Sequence, residues 1–497
     1  MAARTPRKLR LWEALALSVG LMGPTLAMGL NGPGVAATAG KAVPLVFLLG
    51  LAGVGLVGYG FWRLTQHFNH AGSVYALAGA TIGPRAGFFG GFALLGTYLF
   101  FLVCTQAATA VFANAFLNEL GIHHTGAWIA YALLAAVGCA VLNVRDTRFT
   151  ARTLLLIEGI GIIAMLVLAA VVVGGAGLGI GHHTASGGAP SIDLSTFTPG
   201  GTTMSAVMTA TVFAFLSWAG FEACASLGEE TDNPRRNIPR ALVGSVILTG
   251  ILYVLLMFTQ TIGFGTDTKG IAAFAGAESP MSTLSQRYVG TWFSLIVAFT
   301  AVASAFASSL SSSAAASRMV FALARDGFGP KAMAKVDPDT GAPRTALFSV
   351  VAVTTVADVA LWAGGAGAFD SYYWFATLGV LCVLVAYAVA AAGVIKFTFS
   401  GRGNIPRWET IIPTAGIAYL AFVFYKQSTG QTAPYTYFPW IAGAWCVIGV
   451  LVILCAPRLA AQIGARLTGE LAGSDSDVEA SSQGSAEADA AAKVQGS

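Results

Sequence analysis

The sequence predicts an all-α integral membrane protein with twelve transmembrane helices. Hydrophobic residues make up 56% of the 497 residues and charged residues only 10%, whereas soluble domains carry about 25% charged residues. A span of about 20 apolar residues crosses the hydrocarbon core as a helix. The segments that meet this rule are approximately 14–37, 42–62, 88–118, 127–143, 153–174, 203–228, 241–264, 289–323, 345–363, 371–396, 409–425 and 436–456. The third and eighth exceed the bilayer thickness, so we expect them to tilt or project.

Positive charge is distributed unevenly among the connections between these segments. If the N-terminus is inside, the outer connections hold only four of the 27 Lys and Arg residues: Lys41, Lys269, Arg287 and Lys426. Loops that stay in the cytoplasm carry the excess of Lys and Arg. The sequence therefore predicts a multi-pass protein of the plasma (inner) membrane with both termini in the cytoplasm.

The sixth segment is interrupted in its middle by the run Ser217–Glu222. Gly220 is sterically permissive and Ser217 can bond to nearby backbone, so the helix can unwind there. Unwound backbone at membrane depth is tolerated only where protein or a wet cavity surrounds it. Glu222 lies in the same place, and an ionisable group in a span indicates a functional site. We interpret this segment as a broken helix whose exposed backbone binds a small polar solute.

The first segment contains a second interruption at Gly20, Gly23 and Pro24. Proline removes a backbone donor and clashes with the preceding turn, so the helix should kink or open. The first and sixth segments hold matching places in two successive sets of five, which is typical of inverted-repeat transporters. The predicted domains are a basic N-terminus (1–10), a transporter core (11–396), two additional helices (397–456) and a cytoplasmic, largely disordered tail (457–497).

A broken helix exposes two opposite dipole ends. The N-terminus of the second half offers free N–H groups to an anion, and the C-terminus of the first half offers carbonyls to a cation. An amino acid carries both charges on one carbon. Two crossing broken helices therefore predict a clamp for its carboxylate and ammonium groups.

Three long stretches resemble the amino acid–polyamine–organocation transporters. They are HFNHAGSVYALAGATIGPRAGFFGGFALLGTYL, FAFLSWAGFEACASLGEETDNPRRNIPRAL and ASRMVFALARDGFGPKAMAKVDPDTGAPRTAL, in that order. The resemblance covers nearly all of residues 10–456. It implies the leucine-transporter-type fold, in which ten core helices form a five-plus-five inverted repeat and two helices are appended.

The resemblance also implies residues that bind the solute carboxylate. Gly23, Pro24 and Thr25 match the Gly-Ser-Gly run that holds it in the family. Pro24 departs from the pattern because it lacks both an N–H and a hydroxyl. Carboxylate binding would then fall to Gly23 and to the N–H and hydroxyl of Thr25, which puts an ordinary α-amino acid carboxylate in question.

On the sixth segment, the resemblance implies the ammonium site and the gate. Leu216 and Ala219 match positions whose carbonyls accept the ammonium group, beside the predicted opening at Gly220. Trp218, with Phe215 as the alternative, would be the aromatic gate over the bound solute.

Three features bear on coupling and gating. Glu158 lies about two turns into the fifth segment, where the resemblance implies a titratable residue that replaces sodium in some proton-coupled members; the alternative is a Glu paired with Arg152. Glu222 is either a proton-sensitive switch or a structural Glu bonded to neighbouring helices. Ser311 and Ser312, in a serine-rich run of the eighth segment, would either help to bind sodium or serve close helix packing.

We therefore predict a secondary transporter that imports an amino acid or related amine by alternating access. The predicted coupling ion is the proton, and the sequence does not exclude sodium. Alternatives are an exchanger, a polyamine or organic-cation carrier, and a transporter-like solute sensor. No Walker-type phosphate loop is present, which argues against ATP-driven pumping. We expect no enzyme activity, cofactor, metal site or nucleic-acid partner, and the sequence does not address the oligomeric state.

Overall fold

The fold is described from a computed structural model. It covers residues 9–68, 74–122, 127–144, 147–178, 184, 190–227, 231–325, 327–337, 342–401 and 405–459. The predicted N-terminal and tail segments lie almost entirely outside these residues.

The described residues form α-helices joined by short turns and 3-10 helices, and they contain no β-strand beyond one isolated bridge. The α-helices are α1 Leu11–Met22, α2 Pro24–Ala39, α3 Val43–Thr65, α4 Val74–Thr81, α5 Pro84–Glu119, α6 Ile129–Leu142, α7 Thr147–Leu178, α8 Met204–Leu216, α9 Pro234–Phe264, α10 Thr268–Ala275, α11 Pro280–Tyr288, α12 Thr291–Arg325, α13 Arg344–Ala363, α14 Ala368–Phe399, α15 Ile411–Ser428 and α16 Phe438–Cys455.

Each of the twelve predicted segments overlaps a helix. By length and hydropathy, nine helical runs of the described residues qualify as membrane spans, and the first of these joins α1, α2 and α3. The apolar helices α6 and α8 fall below that length. The structure therefore confirms an all-helical chain with many apolar spans, and the number twelve stays a prediction.

Three long helices form the centre of the bundle. Helix α5 has 36 residues and packs along its length against α12 and α14; at a rise of about 1.5 Å per residue it exceeds the hydrocarbon thickness, so it must tilt or project. Small residues allow the close approach. A Cβ added at Gly379 of α14 would overlap the Phe101 ring of α5. This tight centre is the support against which the interrupted helices pack.

Both predicted interruptions are present. Helix α1 ends at Met22, the next residue Gly23 has φ 55° and ψ 64° in the left-handed region, and Pro24 is the first residue of α2. Glycine suits the left-handed residue and proline suits a first helical turn. Helix α8 ends at Leu216, a turn follows in which Gly220 has φ 98°, and a 3-10 helix occupies residues 221–227. The two helices are therefore discontinuous where the sequence predicts it.

The last two helices pack on the outside of the bundle. The Arg63 guanidinium at the end of α3 contacts Glu409, just before α15, with Nε 2.8 Å from Oε2. Two nitrogens of the guanidinium bond the two carboxylate oxygens of Glu409, so the ion pair is bidentate. The guanidinium also stacks on Trp62, 4.7 Å from the centre of its ring. Helix α14 continues to Phe399, three residues past the predicted domain boundary at 396.

Candidate functional site

The two interruptions lie side by side. Asn31 Nδ2 of α2 donates to Ser217 Oγ, 2.7 Å away, just after α8. On the other side of the break, Ser18 Oγ of α1 donates to the Phe221 carbonyl at 3.2 Å and accepts from Cys224 N at 3.0 Å. The first half of the first broken helix is thus hydrogen-bonded to the second half of the other, and its second half is hydrogen-bonded to the end of the first half of the other.

The start of α2 is closed by side chains of α7 and α12. Thr25 N donates to Glu158 Oε1 at 2.8 Å, and Leu26 N donates to Ser304 Oγ at 3.1 Å. Pro24 has no N–H to offer. Glu158 is 4% exposed, and its carboxyl group faces the positive end of the α2 dipole. The predicted alternative, a pair with Arg152, involves a side chain outside the described part of the chain.

Hydroxyl groups collect around this carboxylate. Ser304 Oγ accepts from Leu26 N, the residue after the Thr25 N–H that contacts Glu158. Thr25 Oγ1 and Ser308 Oγ are buried and have no hydrogen-bond partner among the described residues, and a Cβ at Gly23 would lie 2.7 Å from Ser308 Oγ. The junction of α1, α2, α7 and α12 is therefore a compact polar cluster inside an apolar bundle.

Ser311 and Ser312 do not make the contact with the start of α2, and their predicted role in sodium binding or helix packing stays a prediction. Ser304 and Ser308, one helical turn apart, lie beside the first interruption. Ser311 instead lines a cavity that reaches Glu158, and Ser312 is 8% exposed. The i, i+4 spacing of Ser304 and Ser308 is the sequence signal that places both on one helix face.

A small cavity reaches Glu158 from the side of α1. Its volume is about 80 Å³, and it is lined by Gly20, Leu21, Leu154, Leu155, Glu158, Ala307, Leu310 and Ser311. Leu154 and Leu155 precede Glu158 by one turn of α7, so the cavity lies on the N-terminal side of the carboxylate. A cavity of this size admits a few water molecules at most.

The predicted aromatic gate residues are buried against other helices. Trp218 is fully buried, with its ring 6.0 Å from Phe47 of α3 and 5.1 Å from Tyr253 of α9. Phe215 is 1% exposed and faces Tyr387 of α14 at 6.2 Å. In this conformation both rings belong to the hydrophobic core.

Phe213, which the sequence prediction missed, lies between α2, α5 and α14. Its ring meets Tyr373 edge-on at 5.3 Å, and it packs with Leu216 on the cluster that contains Leu26 and Leu30. No local pattern distinguishes Phe213 from Phe215. Only the packed structure shows that Phe213 contacts Tyr373 whereas Phe215 faces Tyr387.

The carbonyls predicted to hold an ammonium group differ in their bonding. The Leu216 carbonyl accepts from Ala219 N at 3.1 Å within the turn. In the described chain, no backbone N–H donates to the Ala219 carbonyl. Gly220 permits this turn, and a side chain there would approach Leu21 of α1, since an added Cβ lies 3.0 Å from Leu21 Cδ2.

Glu222 is bonded to a neighbouring helix, which agrees with the structural one of its two predicted interpretations. Its Oε2 accepts from the Tyr387 hydroxyl of α14 at 2.5 Å, and the residue is 2% exposed. Phe61 and Phe221 surround the Tyr387 ring. This carboxylate holds the 3-10 helix 221–227 against the bundle.

Both ends of the site are closed. At the end that holds Ala39, Tyr372 donates to Asn31 Oδ1 at 2.6 Å, and Tyr373 bonds the Leu30 carbonyl while accepting from Gly34 N at 3.1 Å. At the end that holds Leu11, Asp232 N donates to the Leu9 carbonyl at 2.8 Å. Solute access to the interruptions therefore requires one of these two sets of contacts to open.

Comparisons of the sequence with known proteins show the family. Residues 9–453 match the sequence family described as amino acid permease. The branched-chain amino acid permease of Bacillus subtilis (strain 168) is 23% identical, over 91% of this chain and 93% of that protein. The low-affinity putrescine importer of Escherichia coli (strain K12) is 22% identical, over 63% of this chain and 66% of that protein. The methylthioribose transporter of Bacillus subtilis (strain 168) is 24% identical, over 78% of each. These relatives are transporters and not enzymes, and this multi-pass membrane protein belongs to the amino acid permease family.

Proposed function

We propose that this protein is a secondary transporter that moves an amino acid or a related amine across the plasma membrane by alternating access, coupled to protons through Glu158. The observation that carries the proposal is the hydrogen bond from Thr25 N to Glu158 Oε1. It joins the interruption of the first span to a titratable group on α7. A change in the protonation of that group alters the strength of the contact and hence the relative stability of the two access states.

The proposed topology has twelve spans. The first five are α1 with α2, then α3, α5, α6 and α7; the second five are α8 with the 3-10 helix 221–227, then α9, α12, α13 and α14; α15 and α16 follow. Each set begins with an interrupted helix, as a five-plus-five inverted repeat requires. Given the Lys and Arg bias of the sequence, we place Leu11 at the cytoplasmic end and Ala39 at the outer end.

The alternating-access step is assigned to the two closed ends. Outward opening breaks the contacts of Tyr372 and Tyr373 with α2. Inward opening breaks the contact between Leu9 and Asp232 and the contacts of Ser18 with the 3-10 helix. The 80 Å³ cavity beside Glu158 would release the proton to the cytoplasm. Since only one set of contacts opens at a time, solute and proton cross together.

The surroundings of Glu158 favour a proton over sodium. Sodium binding requires several oxygen ligands that all point at the ion, and the Thr25 N–H is a donor aimed at the same carboxylate. A donor in that position competes with a cation, whereas a protonated carboxyl group keeps an oxygen that accepts from it. A sodium site would instead use the hydroxyl oxygens of Thr25 and Ser308, which have no hydrogen-bond partner among the described residues.

The test is uptake by the purified protein in proteoliposomes with labelled L-leucine and labelled putrescine. We expect one of them to accumulate against its gradient when the lumen is alkaline, and a protonophore to abolish accumulation. Glu158→Gln keeps an acceptor for Thr25 N but cannot titrate, so it should support counterflow without accumulation. Glu278→Gln, which removes an exposed carboxylate from the turn after α10, is the matched control and should behave as the wild type.

Two results would overturn this assignment. Accumulation that follows a sodium gradient and ignores the pH gradient would refute proton coupling, as would concentrative uptake by the Glu158→Gln protein. Saturable binding of either compound without uptake or counterflow would instead identify a solute sensor.

A further inference from the structure

The backbone donors at the interruption of the first span are all committed within the protein. Pro24 has no N–H, Thr25 N donates to Glu158, and Leu26 N donates to Ser304. On either side, Gly23 N donates to the Gly20 carbonyl at 3.3 Å and Ala27 N to the Gly23 carbonyl at 2.8 Å. The first turn of α2 therefore has no N–H left for a solute.

Charge reinforces this geometry. The positive end of a helix dipole is equivalent to about half an elementary charge, and the Glu158 carboxyl group already contacts it at 2.8 Å. A second carboxylate bound at the same turn would lie beside Glu158, and like charges that share a site repel strongly. Protonation of Glu158 reduces the repulsion, but the neutral acid still accepts a hydrogen bond.

The cation side of the site has the opposite character. No backbone N–H of the described residues donates to the Ala219 carbonyl. The second interruption thus offers a backbone acceptor for an ammonium group, while the first has no free backbone N–H for a carboxylate.

We infer that the solute is an amine without an α-carboxylate, recognised through its ammonium group, because Glu158 occupies the position that a solute carboxylate needs at the start of α2. This inference rests on the proposed transport function and narrows its substrate class. Pro24 and Glu158 act together here, because Pro24 lacks a backbone N–H and Glu158 accepts the hydrogen bond from Thr25 N.

The test compares each amino acid with its decarboxylated counterpart on the purified full-length protein. The pairs are L-leucine with isoamylamine and L-ornithine with putrescine, measured by thermal shift and by uptake into proteoliposomes. Within at least one pair we expect the amine to bind at least about tenfold more tightly, since the carboxylate must displace a charge-assisted hydrogen bond. An amino acid that binds as tightly as its amine overturns the inference.

Two variants test the cause of the selectivity. Glu158→Ala frees the Thr25 N–H, and Pro24→Ser adds an N–H to the first turn of α2, so each should bring amino acid binding to within about threefold of amine binding. Amine binding reports that each variant is folded. If both variants bind the amine but keep the wild-type preference, Glu158 and Pro24 do not cause it and the inference fails.

The two proposals fail in different ways. Transport of amino acids in preference to amines refutes the narrower substrate class and leaves the transport function intact. Absence of uptake and counterflow for all four compounds refutes the proposed transport of amino acids and amines itself.

Discussion

The Tyr372 hydroxyl of α14 lies 2.6 Å from Asn31 Oδ1 of α2, and it donates a hydrogen bond to that oxygen. Asn31 in turn donates to Ser217 Oγ at 2.7 Å. This chain of three buried side chains connects the tenth proposed span to both interrupted helices. Because every member is satisfied, the closed state at this end is held by a complete polar network in an apolar setting.

Tyr372→Phe should therefore loosen the end of the bundle that holds Ala39. The substitution removes one buried bond, for which hydrogen bonds between membrane helices average about 0.6 kcal/mol and reach about 1.7. We expect hydrogen exchange of residues 30–38 to accelerate about threefold to twentyfold. Tyr437→Phe is the control because Tyr437 is exposed. Unchanged exchange in the Tyr372 variant would show that the network does not hold this end closed.

Ser18→Ala should loosen the opposite end. The Ser18 hydroxyl makes two contacts, with the Phe221 carbonyl and with Cys224 N, so its loss leaves a buried donor and a buried acceptor unpaired. In a protein whose other five cysteines are replaced by Ser, maleimide labelling of the buried Cys224 should quicken about fivefold to thirtyfold, for a loss of about 1–2 kcal/mol. Equal labelling rates in the two proteins would contradict the assignment.

Asp193 should not contribute to the pH dependence of transport. Hydrogen bonds from Ser195 lower the pKa of the Asp193 carboxyl group, with further help from Lys41, whose Nζ lies 3.5 Å from Asp193 Oδ2. A lowered folded-state pKa stabilises the protein above the unfolded pKa of about 3.9, and the contribution is lost as the pH falls through the folded value. The melting-temperature gap between wild type and Asp193→Asn should stay constant from about pH 5 to 8 and shrink below about pH 4.

The uptake profile of the Asp193→Asn protein should match that of the wild type over the same range. A profile that moves with this substitution would assign part of the pH dependence to the connection before α8 instead of to Glu158. The pair with Lys41 is partly exposed, so its own effect on stability should stay below about 1 kcal/mol.

Local chemistry made the interruptions predictable, whereas tertiary contacts decided the rest of the site. Gly23 and Pro24 carry their conformational preferences wherever they occur, so the opening of the helix at these residues followed from the sequence. The partner of Glu158 did not follow, because Thr25 lies 133 residues away in the chain. Trp218 and Phe213 are both aromatic, and the sequence does not show which neighbours each will have. The packed structure places Trp218 against α3 and α9, and Phe213 against Tyr373 of α14.

Gly23→Ala should damage the site through the backbone. Gly23 has φ 55°, a left-handed conformation that costs other residues about 1–2 kcal/mol, and the added Cβ would lie 2.7 Å from Ser308 Oγ. We expect a lower melting temperature and a loss of uptake. Gly159→Ala is the matched control, because Gly159 lies in α7 with nothing within 4 Å of an added Cβ, and alanine is favoured over glycine in a helix interior by about 1 kcal/mol.

The steric and conformational parts of this cost can be separated. Ser308→Gly removes the side chain that the methyl group of the Gly23→Ala variant would meet, but it leaves the positive φ at position 23 unchanged. We therefore expect Gly23→Ala in the Ser308→Gly background to recover only part of the melting temperature and little of the uptake, each compared with Ser308→Gly alone. Full recovery of both would mean that the Ser308 contact, and not the left-handed backbone at the junction of α1 and α2, is what requires glycine at this position.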